Sequence, residues 1–498
     1  MERKTMNQST VRYCGRDIPV LASVDVLVAG AGFPGICAAV AAARCGAHTL
    51  LVERNGALGG QAAEIDTWGV DGFIDGDGKL LVDGLPWELL RRTLAQGQSD
   101  PLWTQLDMEL MEREGIPAAL RAAQLDEYVP YCNTGTFMNP FNDQYIDPNA
   151  YRYAAQEMLD EVGVPVLFEA PVIDVLMKEQ TVTGVVIQAF FRKFAVLAER
   201  VVDTTQNGAL SAMAGHLFAY PRAYMGTLPR VANVDIHRLI DFMRTHDEQW
   251  FLRPMVGRKA DPDEMERLLG KGCPLAIHGF LQSLDRAIAE HAEYAPLKRA
   301  NGNALYFFYE RDNMGNYWVF GDDFHDVDTS DPLAYSGAVA AARRQQWLMH
   351  RFFRDYIPGF AHAHLTDTYG YISKAYLQSM EPGGLTEYDI TAEEIQTGLK
   401  EQPDVVTVIR GHPNAGQNQS GWGIPLRALI PKGLDNLVLT GKPACRKIHY
   451  IASCAKVGEA AGAAAAVSAL GRTPLRETDA AKIRRAMKTD ADAAIKAP

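Results

Sequence analysis

The sequence predicts an α/β fold, in which a Rossmann-like nucleotide-binding domain is interrupted by a long α+β insertion. Three observations carry this. Residues 24–53 read as strand, glycine turn, helix and strand, closed by an acid. Residues 437–470 give a second strand, glycine and small-residue helix towards the other end of the chain. Between them, residues 216–435 mix strand-like and helical patterns and contain no further G-x-G-x-x-G.

Residues 24–29 (VDVLVA) form a short apolar run with β-branched residues, which suits a strand buried on both faces. Gly30, Gly32 and Gly35 follow as G-x-G-x-x-G, with Phe33 and Pro34 inside the motif. Gly30 allows the tight turn out of the strand. Gly32 lacks a Cβ, so backbone can approach a pyrophosphate there. Gly35 lets the helix pack close to the strand, and the helix start presents free N–H groups to phosphates. Residues 38–43 continue as a small-residue helix that Gly46 is placed to end. Residues 49–52 read as the second strand, with Glu53 at its end, 23 residues after Gly30, and Arg54 closing the stretch. Glu53 is placed to accept from ribose hydroxyls, and its charge disfavours a 2′-phosphate.

A glycine-rich loop, 55–61, contains Gly59, Gly60 and Gln61. Glycines there let backbone lie against a flat ligand; the other reading is a flexible loop. Residues 1–20 read as a leader or an edge strand. Asp147 caps a helix that Pro148 opens and Gly163 ends. Strand-like runs follow at 164–169, 182–187 and 194–203, the last leading into DTTQNG at 203–208. Residues 304–310 and 316–320 flank Asp312 to Gly315 as a β-hairpin whose aromatic residues fall on both faces. Those aromatics are sheet core, or one face lines a substrate pocket. A long helix runs from Asp331-Pro332 to about residue 356, and the stretch after Pro474 reads as a charged amphipathic helix forming a surface tail. The expected domains are 20–215 and 436–472 as the two parts of the nucleotide domain, 216–435 as a substrate or cap domain, and 473–498 as the tail.

At 498 residues the chain is too long for one simple core. Its formal charge of −12 argues against a polyanion partner, so no nucleic acid is expected. The seven cysteines, Cys14, Cys37, Cys45, Cys132, Cys273, Cys445 and Cys454, include no C-x-x-C, which suggests reduced thiols in a cytoplasmic setting. No metal site, secretory signal or membrane span is expected.

Four segments together resemble the FAD-dependent oxidoreductase family of the glutathione-reductase-like superfamily, related to the fumarate reductase and succinate dehydrogenase flavoproteins. They are GAGFPG with LLVER, then ALGGQ, then VVDTTQNGALSAMAG, and then GIPLRALIPKGLDNLVLTGK with GEAAGAAAA. The resemblance implies FAD as the cofactor. Gly30, Gly32 and Gly35 would hold its pyrophosphate and Glu53 its adenosine ribose. Gly59 and Gly60 would run beside the ribityl chain. Asp203 and Gly208 match a motif usually written D-A-T-G-D-G, although Gln206 replaces one of its glycines. Gly441 and the helix start that includes Gly458 would lie by the flavin ring. Attachment is expected to be non-covalent, because the loop after Gly60 has no histidine.

A flavin carries the redox chemistry itself, so the protein must place a substrate and move a proton. His449 is the first acid/base candidate, as an imidazole that titrates near neutrality in the C-terminal flavin segment. Tyr450 beside it and His412, in a polar glycine-rich loop, are the others. Arg427, in G-I-P-L-R, could anchor a carboxylate; the alternative is a surface or interdomain ion pair. Lys442 and Arg446 could stabilise negative charge on a reduced flavin. The expected function is hydride transfer between a small organic substrate, anionic if Arg427 anchors it, and FAD, with an unidentified electron partner. A flavin monooxygenase, or a non-catalytic or RNA-modification-associated flavoprotein, are the alternatives. Homo-oligomerisation is left open.

Overall fold

The computed structural model describes residues 9–64, 70–97, 105–125, 143–144, 146–205, 208–216, 222–226, 229–246, 251–253, 261–272, 274–298, 305–318, 327–328, 331–368, 373–377, 385–411, 420–445, 447–448 and 450–488.

An eight-stranded sheet organises the cofactor side. Its main path runs Val166–Leu167, Thr49–Val52, Arg16–Ala29, Arg192–Asp203, Thr181–Ala189 and Val172–Lys178. Thr10–Tyr13 pairs with the third of these and Leu437–Leu439 with the fourth. The pairings of Arg16–Ala29 with Thr49–Val52 and with Arg192–Asp203 are parallel, as is that of Leu437–Leu439. The strand expected at 24–29 is longer than the apolar run, because residues 20–24 already pair with 195–198. Residues 10–20 are thus a hairpin arm and strand start of the central sheet, on its edge as expected only for Thr10–Tyr13.

Helix Phe33–Arg44 lies on this sheet and is covered in turn by helix Ile451–Leu470, whose Ala-rich surface is buried through most of its length. The approach is close because of glycine: a Cβ at Gly458 would stand 2.2 Å from the Pro34 carbonyl oxygen, and one at Gly462 2.0 Å from that of Ala38. The expected helix after Asp147 is Pro148–Glu161, with the Asp147 carboxylate accepting from Asn149 and Ala150 N–H groups.

The insertion is built on a six-stranded antiparallel sheet, ordered Phe251–Arg253, Leu275–Gly279, Leu305–Arg311, Met314–Trp318, Arg230–Ala232 and His364–Asp367. The predicted hairpin is present, closed by the two-residue turn Asp312-Asn313 with φ of 50° and 62°, a conformation short polar residues tolerate. One face is core: Phe307 and Tyr317 pack on Phe353 and Phe360, with Tyr317 4.6 Å from Phe353. Phe353 belongs to helix Pro332–Tyr356, which Asp331 caps. The opposite face carries stacked His278, Tyr306 and Phe308, beside a buried Arg230–Glu310 ion pair at 2.9 Å.

The charged amphipathic helix expected after Pro474 is present. Helix Ala480–Lys488 buries Ala480 and Ile483, and Arg484 donates to the Val405 carbonyl. Its charges face outward while this narrow apolar side docks. Among the described residues, no helix is long and apolar enough to cross a membrane.

Candidate functional site

Three parallel strands end side by side. Ala29 is in register with Asp203, and Asp203 with Leu439, so Gly30, Thr204 and Thr440 emerge together. Strand order reverses here: from Arg16–Ala29 the chain steps to Thr49–Val52 on one side and later to Arg192–Asp203 on the other. Open α/β sheets bind ligands in the crevice outside such strand ends.

The glycines of the first turn have separate duties. Gly30 has φ +106°, open only to glycine at low cost, and its Cβ position lies 3.1 Å from Thr204. At Gly35 a Cβ would stand 1.7 Å from the Gly30 carbonyl oxygen, so this residue joins helix to turn. Gly32 is different: it precedes the helix with φ −70°, and the nearest atom to its Cβ position is Pro34 Cδ at 3.8 Å. The space beside Gly32 is left open at the start of a twelve-residue helix. Phe33 and Pro34 serve the fold, since the Phe33 ring is buried edge-on to Tyr151 at 5.4 Å and Pro34 opens the helix.

The 55–61 loop lies against this turn. Gly59 N–H donates to the Ala31 carbonyl at 2.8 Å, and Gly59 forms an isolated parallel bridge with Gly32. Gly60 has φ +48°, with its Cβ position 3.1 Å from Gly32 Cα. Gln61 starts the short helix Gln61–Glu64. Glu53 is buried at the end of its strand, and its carboxylate accepts from Ala31 N–H at 2.6 Å and Asn55 N–H at 2.8 Å. It therefore ties the glycine turn to the second strand. Arg54 is exposed, within electrostatic reach of Tyr335 on the long helix.

Asp203 is buried and organises the third turn. It accepts from Thr205 N–H at 2.9 Å, from the Thr205 hydroxyl and from Leu210 N–H at 3.0 Å. Burial pushes its carboxyl up to about 6, against the lowering effect of those hydrogen bonds. Gly208, with φ +66°, precedes the short helix Ala209–Met213 that this carboxylate helps to hold. Thr204, not singled out in the sequence, donates its hydroxyl to the Ala29 and Gly30 carbonyls at 2.7 and 2.6 Å. It clamps the first turn to the third. Its position directly after Asp203 was the available signal.

Gly441 follows the third strand with φ +61° and nothing within 4 Å of its Cβ position. Lys442 beside it is half-buried, and burial lowers its pKa against a raising contribution from Cys454. Tyr450 precedes helix Ile451–Leu470 and is 1% exposed. Its ring packs against Gly72, and the Arg410 guanidinium lies 5.6 Å from its centroid. Arg410 is itself buried and donates to the Asp75 carbonyl at 3.2 Å. A charged residue ending the apolar strand Val405–Ile409 could have drawn attention to it. Lys456 is buried between Asp83 at 2.8 Å and Glu459 at 2.9 Å; burial opposes its charge, but the two carboxylates outweigh this and raise its pKa.

Two sequence expectations meet different surroundings. Gly458 faces Pro34 in the helix crossing described above, so close packing accounts for it without a ligand. Arg427 has its guanidinium 4.0 Å over the Tyr388 ring, 3.5 Å from Asp404 and bonded to Gln402. That is the ion-pair alternative, and the cluster engages the group expected to anchor a carboxylate. His449, His412 and Arg446 lie outside the described residues. Among the described residues, no group of three or more His, Cys, Asp or Glu is placed to hold a metal ion.

The glycine turn, its open flank at Gly32, the buried acid at 53 and the open Gly441 fit a long dinucleotide laid across the strand ends. The family described as FAD dependent oxidoreductase matches residues 25–377 and 395–487. Among solved structures, the chain is similar to a geranylgeranyl bacteriochlorophyll reductase-like protein of Thermoplasma acidophilum, at 13% identity over 95% of this chain and 84% of that one, TM-score 0.40. It is similar to the flavin-dependent brominase Bmp2 at 11% identity over 95% and 86%, TM-score 0.41. It is also similar to GidA of Aquifex aeolicus at 17% identity over 91% and 65%, TM-score 0.43. It matches no curated protein. The family match spans most of the chain, including the glycine turn, Glu53, Asp203 and the C-terminal helix. This chain belongs to the FAD dependent oxidoreductase family, and its cofactor is FAD.

Proposed function

We propose that the protein is a dehydrogenase or reductase that transfers a hydride between a small organic substrate and non-covalently bound FAD. The observation that carries this is the meeting of three strand ends, with Gly30, Thr204 and Thr440 adjacent and open backbone at Gly32 and Gly441. In this reading the chain divides as 20–215 with 436–472 for the cofactor, 216–435 for the substrate and 473–498 as the C-terminal helix region.

The chemistry supplied by bound FAD is acceptance of a hydride, or of two electrons in turn. The chain's own residues do the rest. Gly32 and the helix start behind it would receive the pyrophosphate. The Glu53 carboxylate, held at the turn by Ala31 and Asn55 N–H groups, would accept from ribose hydroxyls. Gly59, Gly60 and Gly441 would leave backbone free against the middle and the ring end of the cofactor. Lys442 would offset negative charge that accumulates on reduction. His449 is proposed to move the proton, with Tyr450 holding the helix start beside it.

The test is anaerobic: candidate small molecules are added to the purified protein and bleaching of the flavin absorbance is followed. A compound that bleaches wild type rapidly and His449→Ala about 10²–10⁴-fold more slowly supports the assignment. Label from isotopic molecular oxygen appearing in product would identify a monooxygenase and end the dehydrogenase reading.

A further inference from the structure

The end of the central sheet opposite the crevice carries a feature that hydride transfer leaves unused. Strands Thr181–Ala189 and Arg192–Asp203 are joined by a two-residue turn, closed by the Ala189–Arg192 pair. The turn residues are Phe190 and Phe191, which are 73% and 100% exposed. Phe190 has φ +51°, a conformation costly for a bulky residue and usual for glycine at the first position of such turns. The Asp312-Asn313 turn of the same protein shows the ordinary solution. Two aromatic side chains are held in water on a strained tip, at a hydrophobic cost that only a binding partner removes.

The surroundings of the tip are basic. Arg192 and Lys193 follow directly and are exposed. The neighbouring hairpin, Thr10–Tyr13 with Arg16–Ala29, brings exposed Arg12 and Arg16 to the same end, because Arg16–Ala29 and Arg192–Asp203 run parallel from it. Lys193 Nζ lies 5.1 Å from the Tyr13 ring centroid and joins the two hairpins. Of the acids nearby, Asp17 faces Arg12 at 3.4 Å and Asp174 accepts from the Tyr13 hydroxyl at 2.9 Å. A chain with a net charge of −12 thus concentrates cations around its most exposed aromatic residues.

We propose that the Phe190-Phe191 tip docks the protein onto an anionic phospholipid surface, with the two rings entering the headgroup boundary and Arg12, Arg16, Arg192 and Lys193 meeting lipid phosphates. Paired aromatic residues with flanking cations match an interface that is apolar inside and negative outside. The overall negative charge does not prevent this, since charges beyond about 8 Å are screened at physiological ionic strength while the tip is in contact. Docking at this end leaves the crevice at Gly30 and Thr204, at the other ends of the same strands, free to exchange substrate.

The experiment is co-sedimentation of the full-length protein with vesicles of phosphatidylcholine mixed with phosphatidylglycerol, and with phosphatidylcholine alone. Wild type should pellet with the mixed vesicles, less at high salt, and weakly with phosphatidylcholine alone. The double variant F190S/F191S should lose about a hundredfold in binding, taking each buried ring as worth about tenfold, with its flavin content unchanged as a folding control. R192E/K193E should lose the preference for anionic lipid. Wild type left in the supernatant, or F190S/F191S pelleting as well as wild type, overturns the proposal. A loss of self-association in F190S/F191S without any vesicle binding also overturns it, in favour of a second copy of this chain as the occupant.

Discussion

Gly32 and Gly35 sit in one motif, yet the geometry predicts opposite outcomes when each is changed to alanine. At Gly35 the new Cβ would stand 1.7 Å from the Gly30 carbonyl oxygen and 2.8 Å from the Thr204 hydroxyl. An ordinary contact begins at 3.4 Å, twice the first distance, and the obstacle is backbone fixed by a strand end, so the helix must shift; overpacking of this kind costs about 1–3 kcal/mol or more. At Gly32 the backbone is extended with φ −70°, and the nearest atom to a Cβ is 3.8 Å away. The reduced freedom of the unfolded chain gains about 0.4–1 kcal/mol, and replacing a glycine cap by alanine costs about 0.5–1 kcal/mol, so apo stability should stay within about 1 kcal/mol of wild type. What that Cβ occupies is the open flank proposed to receive the pyrophosphate. Urea melts of the apo proteins, with the ratio of flavin to protein absorbance after FAD addition, separate the two. Gly35→Ala should melt early; Gly32→Ala should melt like wild type and hold little FAD. A normal melt for Gly35→Ala, or full flavin content for Gly32→Ala, refutes the division of labour.

Other outcomes follow from single sites. Lys456→Met leaves Glu459 buried without its ammonium and should cost about 3–5 kcal/mol in a denaturant melt, much of it regained when Glu459 becomes leucine as well. Asp203 has its carboxyl raised from 3.8 to about 6, so the folded state holds the proton more tightly than the unfolded one; its contribution is fully present below pH 4 and is lost as pH rises past 6, by about 3 kcal/mol. The melts of wild type and Asp203→Asn should therefore diverge with a pH dependence over that window, and parallel curves would contradict the burial argument. Arg427→Ala should change stability by under about 1 kcal/mol, because its side chain is 41% exposed in a surface cluster, and should leave flavin content unchanged. A large loss of flavin in that variant would return Arg427 to the site.

The cofactor end of the fold was legible because its signals are local. Residues 24–53 contain strand, turn, helix and acid in unbroken order, and each glycine has one nearby reason. The Asp312-Asn313 hairpin was readable for the same cause, since turn chemistry lies within a few residues. What was missed depends on partners far away in the chain. Thr204 acts on carbonyls at 29 and 30, Arg410 covers Tyr450, and Gly458 meets Pro34, and none of these spacings leaves a periodic trace. Arg427 shows the converse: its place in G-I-P-L-R suggested an anchor, but Tyr388, Gln402 and Asp404, from other segments, set its surroundings. Helix Ala480–Lys488 was legible as amphipathic, but its docking was not, because only Ala480 and Ile483 are buried and the Val405 carbonyl it meets lies 79 residues away. The Phe190-Phe191 turn escaped notice because the gap between the strand-like runs 182–187 and 194–203 holds no Gly, Asn, Asp or Pro to mark a turn.

We propose that the open flank at Gly32, the acid at 53 and the open backbone at Gly441 hold one whole FAD without a covalent bond. The most direct test is acid denaturation of the purified protein after saturation with FAD and removal of the excess, followed by mass spectrometry and absorbance of the supernatant. Intact FAD, one per chain, should be released into solution and leave a colourless precipitate. Release of FMN, or pigment that stays with the precipitated chain, would contradict the proposal.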